Sequence, residues 1–157
     1  MQKITPFLWF EGDAEEAMKF YTSVFKNSKI LHVSRQGGNE SGPRGGFTTG
    51  TFQLEGQEFM AISLNADAPF KFTEAVSLFV HCETQDEIDY FWNRLTEGGS
   101  PSQCGWLKDK FGLSWQIVPA ILSKLMNGKD AGKSKKVMDA LLKMTKLIIA
   151  DLEKAAE

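Results

Sequence analysis

Two stretches of this chain echo one another, and that echo constrains the fold more than any other feature. The segments AEEAMKFYTSVF and QDEIDYFWNRL each carry apolar residues at helical spacing: Ala17, Phe20, Tyr21 and Val24 in the first, Ile88, Phe91, Trp92 and Leu95 in the second. Each opens on a capping pair, Asp13 with Glu16 and Thr84 with Glu87. An apolar strand precedes each helix, Ile4 to Phe10 and Val76 to Cys82, and further strands follow. In the first half these are Lys29 to Arg35, Phe47 to Leu54 and Gln57 to Leu64, the last two joined at Glu55-Gly56. In the second half Gly105 to Lys108 and Leu113 to Val118 flank Asp109-Lys110-Phe111-Gly112, a hairpin turn that Asp109 is expected to cap. The glycine-rich stretch Gln36 to Gly46 and the connector Asn65 to Thr73 read as loops. A strand–helix–strands unit used twice, at a period longer than solenoid repeats, predicts an α+β domain with pseudo-twofold internal symmetry.

Beyond Pro119 the pattern changes to helices alone. Ala120 to Met126 is short, and Ser134 to Ala156 predicts one long helix. Val137, Leu141, Met144, Ile148 and Leu152 share one face of it, widened by Met138, Leu142 and Ile149. So wide a stripe needs cover, from its own domain or from a partner subunit.

Charge and cysteine content narrow the partners. With 18 basic against 20 acidic residues there is no concentrated basic surface for nucleic acid or anionic membrane. No apolar run approaches the roughly 20 residues that span a bilayer. The opening MQKITPFLWFEGDAEE turns acidic early and lacks a small-residue cleavage site, so no secretory leader is expected. Two cysteines, Cys82 and Cys104, are too few for a disulfide framework, which fits a reduced, cytoplasmic protein. No G-x-G-x-x-G opens a helix, GGNESGPRGG lacks the Lys-Ser/Thr pair of a phosphate loop, and no G-x-S-x-G elbow occurs. His32 and His81 lie in different strands with no metal-ligand spacing around either.

Three stretches, ITPFLWFEGDAEEAMKFYTSVF, SQCGWLKDKFGLSWQIVP and KVMDALLKMTKLIIADLEKA, resemble the PhnB-like subgroup of the vicinal oxygen chelate superfamily. The most specific part is the pattern Cys104, Gly105, Trp106, Asp109, Phe111, Gly112, Trp115, Gln116 and Pro119. The superfamily includes glyoxalase I, extradiol dioxygenases and bleomycin- and fosfomycin-resistance proteins. The subgroup often bears the label 3-demethylubiquinone-9 3-methyltransferase, although this chain has no methyl-donor fold signature. The resemblance implies paired βαβββ modules of glyoxalase/bleomycin-resistance type, one over about 1–68 and one over about 74–119, followed by a helical extension over about 120–157. Each module would curl its sheet around a cavity, and a homodimer is expected.

The superfamily holds its divalent metal through residues on the first strand, the first strand of the second module and the last strand. Those positions fall at Pro6, Ser77 and Gln116. Proline has no side-chain donor, serine is a weak ligand and glutamine is a neutral amide, so no metal and no cofactor is expected there.

Period-2 alternation then assigns faces. Ser77, Phe79 and His81 share one face of their strand, while Leu78, Val80 and Cys82 face the helix; Ser114, Gln116 and Val118 point inward, and Trp115 and Ile117 outward. Leu8 and Phe10 are expected to join the lining from the first strand, with Trp106 at the mouth and Cys104 a further cavity candidate. His81 is a candidate general base by its ordinary pKa near 6.5, or simply a hydrogen-bonded strand-end histidine. Cys104 becomes a nucleophile only where its thiol pKa is lowered, and the sequence shows no companion for it. Trp9, Trp92 and Trp115 read as core. The expected function is binding of a small organic molecule in this aromatic cavity without the superfamily metal. The alternatives are a drug-sequestering protein like the bleomycin-resistance branch, or a metal-dependent lyase or dioxygenase with other ligands.

Overall fold

The computed structural model describes residues 2–37, 46–65 and 67–157. The glycine-rich connection therefore lies largely outside the described residues. The chain divides into two compact units, Met1–Phe72 and Thr73–Glu157.

In the first unit β1 (Phe7–Phe10), α1 (Ala14–Val24), β2 (Lys29–Gln36), β3 (Phe47–Leu54) and β4 (Gln57–Leu64) build one sheet in the order β1-β4-β3-β2. β1 runs parallel to β4, whereas β3 is antiparallel to both its neighbours. The Asp13 side chain caps α1 by accepting from the Glu15 N–H at 2.9 Å, and the buried Ser63 hydroxyl accepts from the Ala14 N–H at 2.9 Å. The helix buries Ala14, Ala17, Met18, Tyr21 and Val24 against the sheet. Gly50 leaves room for Met18, whose thioether would collide with any Cβ at that position. Phe10, Tyr21, Phe52 and Phe59 form a continuous aromatic stack beneath the helix.

The second unit repeats this plan. β5 (Ser77–Cys82), α2 (Gln85–Thr96), β6 (Ser100–Pro101), β7 (Trp106–Lys108) and β8 (Ser114–Pro119) give the order β5-β8-β7-β6, with β5 parallel to β8. β6, only two residues long, was not legible as a strand in the sequence. Thr84 accepts from the Glu87 N–H at 3.2 Å, and Glu87 reaches back to the Glu83 N–H at 2.6 Å, a reciprocal cap. Ile88, Trp92 and Leu95 of α2 are buried, as are Cys82, Leu107, Trp115 and Ile117 on the covered face of the sheet.

The β7–β8 hairpin is organised by one buried carboxylate. Asp109, only 3% exposed, accepts from the Phe111 N–H at 2.8 Å, the Leu113 N–H at 3.1 Å and the Trp115 indole at 2.8 Å. It thus ties the turn to the largest side chain in the core as well as capping it.

The helical extension comprises α3 (Ile121–Met126), α4 (Ala131–Leu141) and α5 (Ile149–Ala155). The single helix expected over Ser134 to Ala156 is thus two helices, interrupted at residues 142–148. The break recruits backbone groups that a helix would have consumed. Met144 and Thr145 carbonyls accept from the Cys104 and Gly105 N–H groups, both at 2.8 Å. It also turns Leu147, absent from the expected stripe, fully inward beside Val118, Val137 and Leu152. Lys146 meets Asp89 at 2.8 Å and, through that hydrogen bond first, holds its carboxyl below the usual range. The extension therefore packs on its own unit. Val118, expected in the cavity, is covered by it instead. Among the described residues no helix is long and apolar enough to cross a membrane.

Two stability measurements check this account. Asp109→Ala strips the acceptor from three N–H donors, two of them buried, and should lower unfolding free energy by about 2–4 kcal/mol in urea titrations, with Asp109→Asn costing less. Leu147→Ala should cost about 2–5 kcal/mol, whereas Leu142→Ala, on a side chain 59% exposed, should change stability by less than about 0.5 kcal/mol.

Candidate functional site

Because one helix covers one face of each sheet, the other face has no helix of the repeat over it, and register decides which side chains it presents. In the second unit Ser77, Ser114 and Lys108 lie side by side across β5, β8 and β7, and Phe79, Gln116 and Trp106 form the next row. Gln116 donates from Nε2 to the Ser77 hydroxyl at 3.0 Å. The Phe79 and His81 rings lie 4.7 Å apart, and both residues are exposed. The alternation in SLFVHC and SWQIVP assigned this face as the sequence suggested.

A cavity of about 500 Å³ opens at the β6 side of this sheet. Trp106, Lys108 and Ser114 contribute from the strands, Ser100 and Pro101 from β6, Ser102, Gln103 and Cys104 from the following loop, and Glu74 from the segment before β5. Lys108 and Glu74 pair at 2.5 Å, and that hydrogen bond holds the Glu74 carboxyl below the usual carboxylate range. Ser114 is fully buried, yet its hydroxyl has no hydrogen-bond partner among the described residues. Three of the expected residues, Cys104, Trp106 and Ser114, therefore line one cavity. Ser77, Phe79, His81 and Gln116 share the open face without lining it.

Cys82 is buried beneath α2, where burial first, and then the carboxylates of Glu87 and Glu83, push its thiol up to about 12. Cys104 is only partly buried and is held at a positive φ of 59°.

Leu8 and Phe10 require a correction. They are 6% and 1% exposed and lie on the helix-covered face of the first sheet, with the Phe10 ring 6.1 Å from that of Tyr21 and 5.3 Å from that of Phe72. The open face of that sheet carries Phe7, Trp9, Met60 and Ile62 instead. Trp9 thus leaves the expected core and packs edge-on against Phe70, their centroids 4.7 Å apart. FLWF is apolar at every position, so its alternation carries no sign of which side is covered.

The residues missed were the polar ones at the cavity edge. Lys108 could have been found by extending the Trp106 face by two residues. Glu74, Ser100, Ser102 and Gln103 sit outside any periodic segment, and only the tertiary path brings them together.

At the positions where the resemblance implies a metal, the Pro6 carbonyl accepts from the Met60 N–H at 2.9 Å. The Gln116 amide is spent on Ser77. Neither a carboxylate nor an imidazole stands at these positions, and this donor set does not fit a hard divalent cation. Among the described residues no three His, Cys, Asp or Glu side chains group together as metal ligands.

Comparison with known proteins gives this geometry a family. The family model described as 3-demethylubiquinone-9 3-methyltransferase matches residues 2–118. The structure of a PhnB protein from Bacillus cereus is 46% identical, covers 76% of this chain and 100% of that one, and superposes with a TM-score of 0.67. A Pseudomonas aeruginosa protein (18% identity, 76% of this chain, 98% of that one, TM-score 0.56) shares the fold. So does the FosX fosfomycin resistance protein of Listeria monocytogenes (13% identity, 78% and 94% covered, TM-score 0.55). No curated protein matches. The chain therefore belongs to the PhnB-like 3-demethylubiquinone-9 3-methyltransferase family and has the mixed α+β fold of the glyoxalase/bleomycin resistance/dioxygenase proteins.

Proposed function

We propose that this protein binds a small, uncharged organic molecule in the second unit's cavity, without a divalent cation at the superfamily positions. The Ser114 hydroxyl carries the reading. A buried hydroxyl without a partner costs about 1–3 kcal/mol, a cost that a ligand group donating to or accepting from it would remove. The cavity, about 500 Å³, is of the size that small-molecule sites have. Trp106 supplies a flat apolar wall. Glu74 and Lys108 neutralise one another, so neither offers a free charge to a ligand, which favours an uncharged occupant. Without a fitted metal, the chemistry left to the site is hydrogen bonding by Ser114, Gln103 and Ser102 and contact with the Cys104 thiol.

Saturation-transfer NMR with a set of neutral aromatic fragments tests this, read together with protection of Cys104 from iodoacetamide. Fragments that bind should slow alkylation of Cys104, and dialysis against EDTA should leave their affinity unchanged. Ser114→Ala should weaken them about five- to tenfold, while the free protein keeps its stability or gains up to about 1 kcal/mol, because the orphaned hydroxyl is gone. Absence of any protecting fragment, or binding that EDTA abolishes, overturns the proposal. Saturable binding of bleomycin without turnover would place the protein with the sequestering branch.

A separate expectation concerns the thiols. Iodoacetamide at pH 8 should label Cys104 in the native protein and reach Cys82 only in denaturant, because burial keeps the Cys82 thiol protonated; peptide mass mapping reads both sites.

A further inference from the structure

We propose that residues 144–149 of the C-terminal extension act as a strap that sets the conformation of the cavity wall, and that Gln85 is the positioning residue that holds the strap in place. The idea rests on the cavity reading above, because the loop it concerns supplies Gln103, Cys104 and, at its end, Trp106. The family match stops at residue 118, so the strap comes from outside the matched module.

The wall needs an external hold because of its backbone. Cys104 has a φ of 59° and Gly105 of 84°. A left-handed conformation at a residue with a Cβ is unfavourable and persists only where the surroundings over-determine it. Within the loop, Ser102 N–H donates to the Trp106 carbonyl at 2.9 Å and Trp106 N–H to the Gln103 carbonyl at 3.1 Å, while the Gly105 carbonyl accepts from the Ile117 N–H at 2.8 Å. The two successive N–H groups of Cys104 and Gly105 find their acceptors outside the loop, and the strap supplies both, through the Met144 and Thr145 carbonyls at 2.8 Å. A Cβ on Gly105 would lie 3.1 Å from the Leu147 side chain, so the strap also occupies the space that the glycine leaves.

Gln85, in the first turn of α2, grips the next part of the strap with both ends of its amide. Nε2 donates to the Leu147 carbonyl at 3.1 Å and Oε1 accepts from the Ile149 N–H at 2.8 Å. It thereby replaces backbone partners that the broken helix lacks. The ion pair between Lys146 and Asp89 is a second, more exposed fastening to the same helix. The extension beyond the matched residues thus determines how Cys104 and its neighbours are presented to a ligand.

Amide exchange measured by NMR on the full-length protein tests the strap without reference to any ligand. In Gln85→Ala the Cys104 and Gly105 amides should exchange on the order of tenfold faster, and in Lys146→Gln, a milder change at the surface, a few-fold faster. Amides in the β7–β8 ladder should keep their wild-type rates, as should all of these in the control Leu142→Ala. Iodoacetamide alkylation of Cys104 should change rate in the same order as the exchange. Unchanged exchange at Cys104 and Gly105 in Gln85→Ala overturns the proposal, as does uniform acceleration across the second unit, which would mark a general loss of stability. Since exchange is read on the free protein, failure of fragment binding and failure of the strap are separate results.

Discussion

Everything else in each unit follows from the parallel pairing of its first strand with its last, β1 with β4 and β5 with β8. Parallel neighbours cannot be joined by a tight turn, so the chain must cross over, and in both units the crossover begins with a helix on one face. The remaining strands return by antiparallel pairing and fill out the sheet from β4 or β8. One face is thereby sealed by α1 or α2, and the other has no covering element from the repeat itself. The open face, where the ligand site is proposed, is a by-product of the crossover.

The second unit treats its buried polar groups in two opposite ways. Asp109 is surrounded by donors and stabilises the turn that aligns β7 with β8. Ser114, five residues on and also buried, has none among the described residues. Burial of a polar group costs free energy unless a partner is supplied, so the first arrangement serves folding, and the second carries a cost that the proposed ligand would remove. That contrast makes the orphaned hydroxyl informative.

How much of the site was legible depended on contrast between neighbouring residues. In SLFVHC and SWQIVP, polar and apolar side chains alternate enough to reveal that Ser77, Phe79, His81, Ser114 and Gln116 share a face, although of these only Ser114 lines the cavity. FLWF has no such contrast, and Leu8 and Phe10 were assigned to the wrong side. The loop residues around Cys104 carry no periodicity at all, so only the fold could show which of them line the cavity. In the extension, the apolar stripe was real but its continuity was not. Local helical preference lost to tertiary demand when Cys104 and Gly105 required acceptors and Leu147 could be fully buried.

The sequence by itself determined the repeated strand–helix–strands order, the capped helix starts, the hairpin turns and the chemistry available at the superfamily's metal positions. These are local properties, set by periodicity, turn residues and side-chain identity. The tertiary structure alone decided which face of β1 is buried, where the last helix breaks and which polar residues meet around Ser114. Each of those depends on contacts between segments far apart in the chain, and such contacts leave no mark on the pattern of either segment alone.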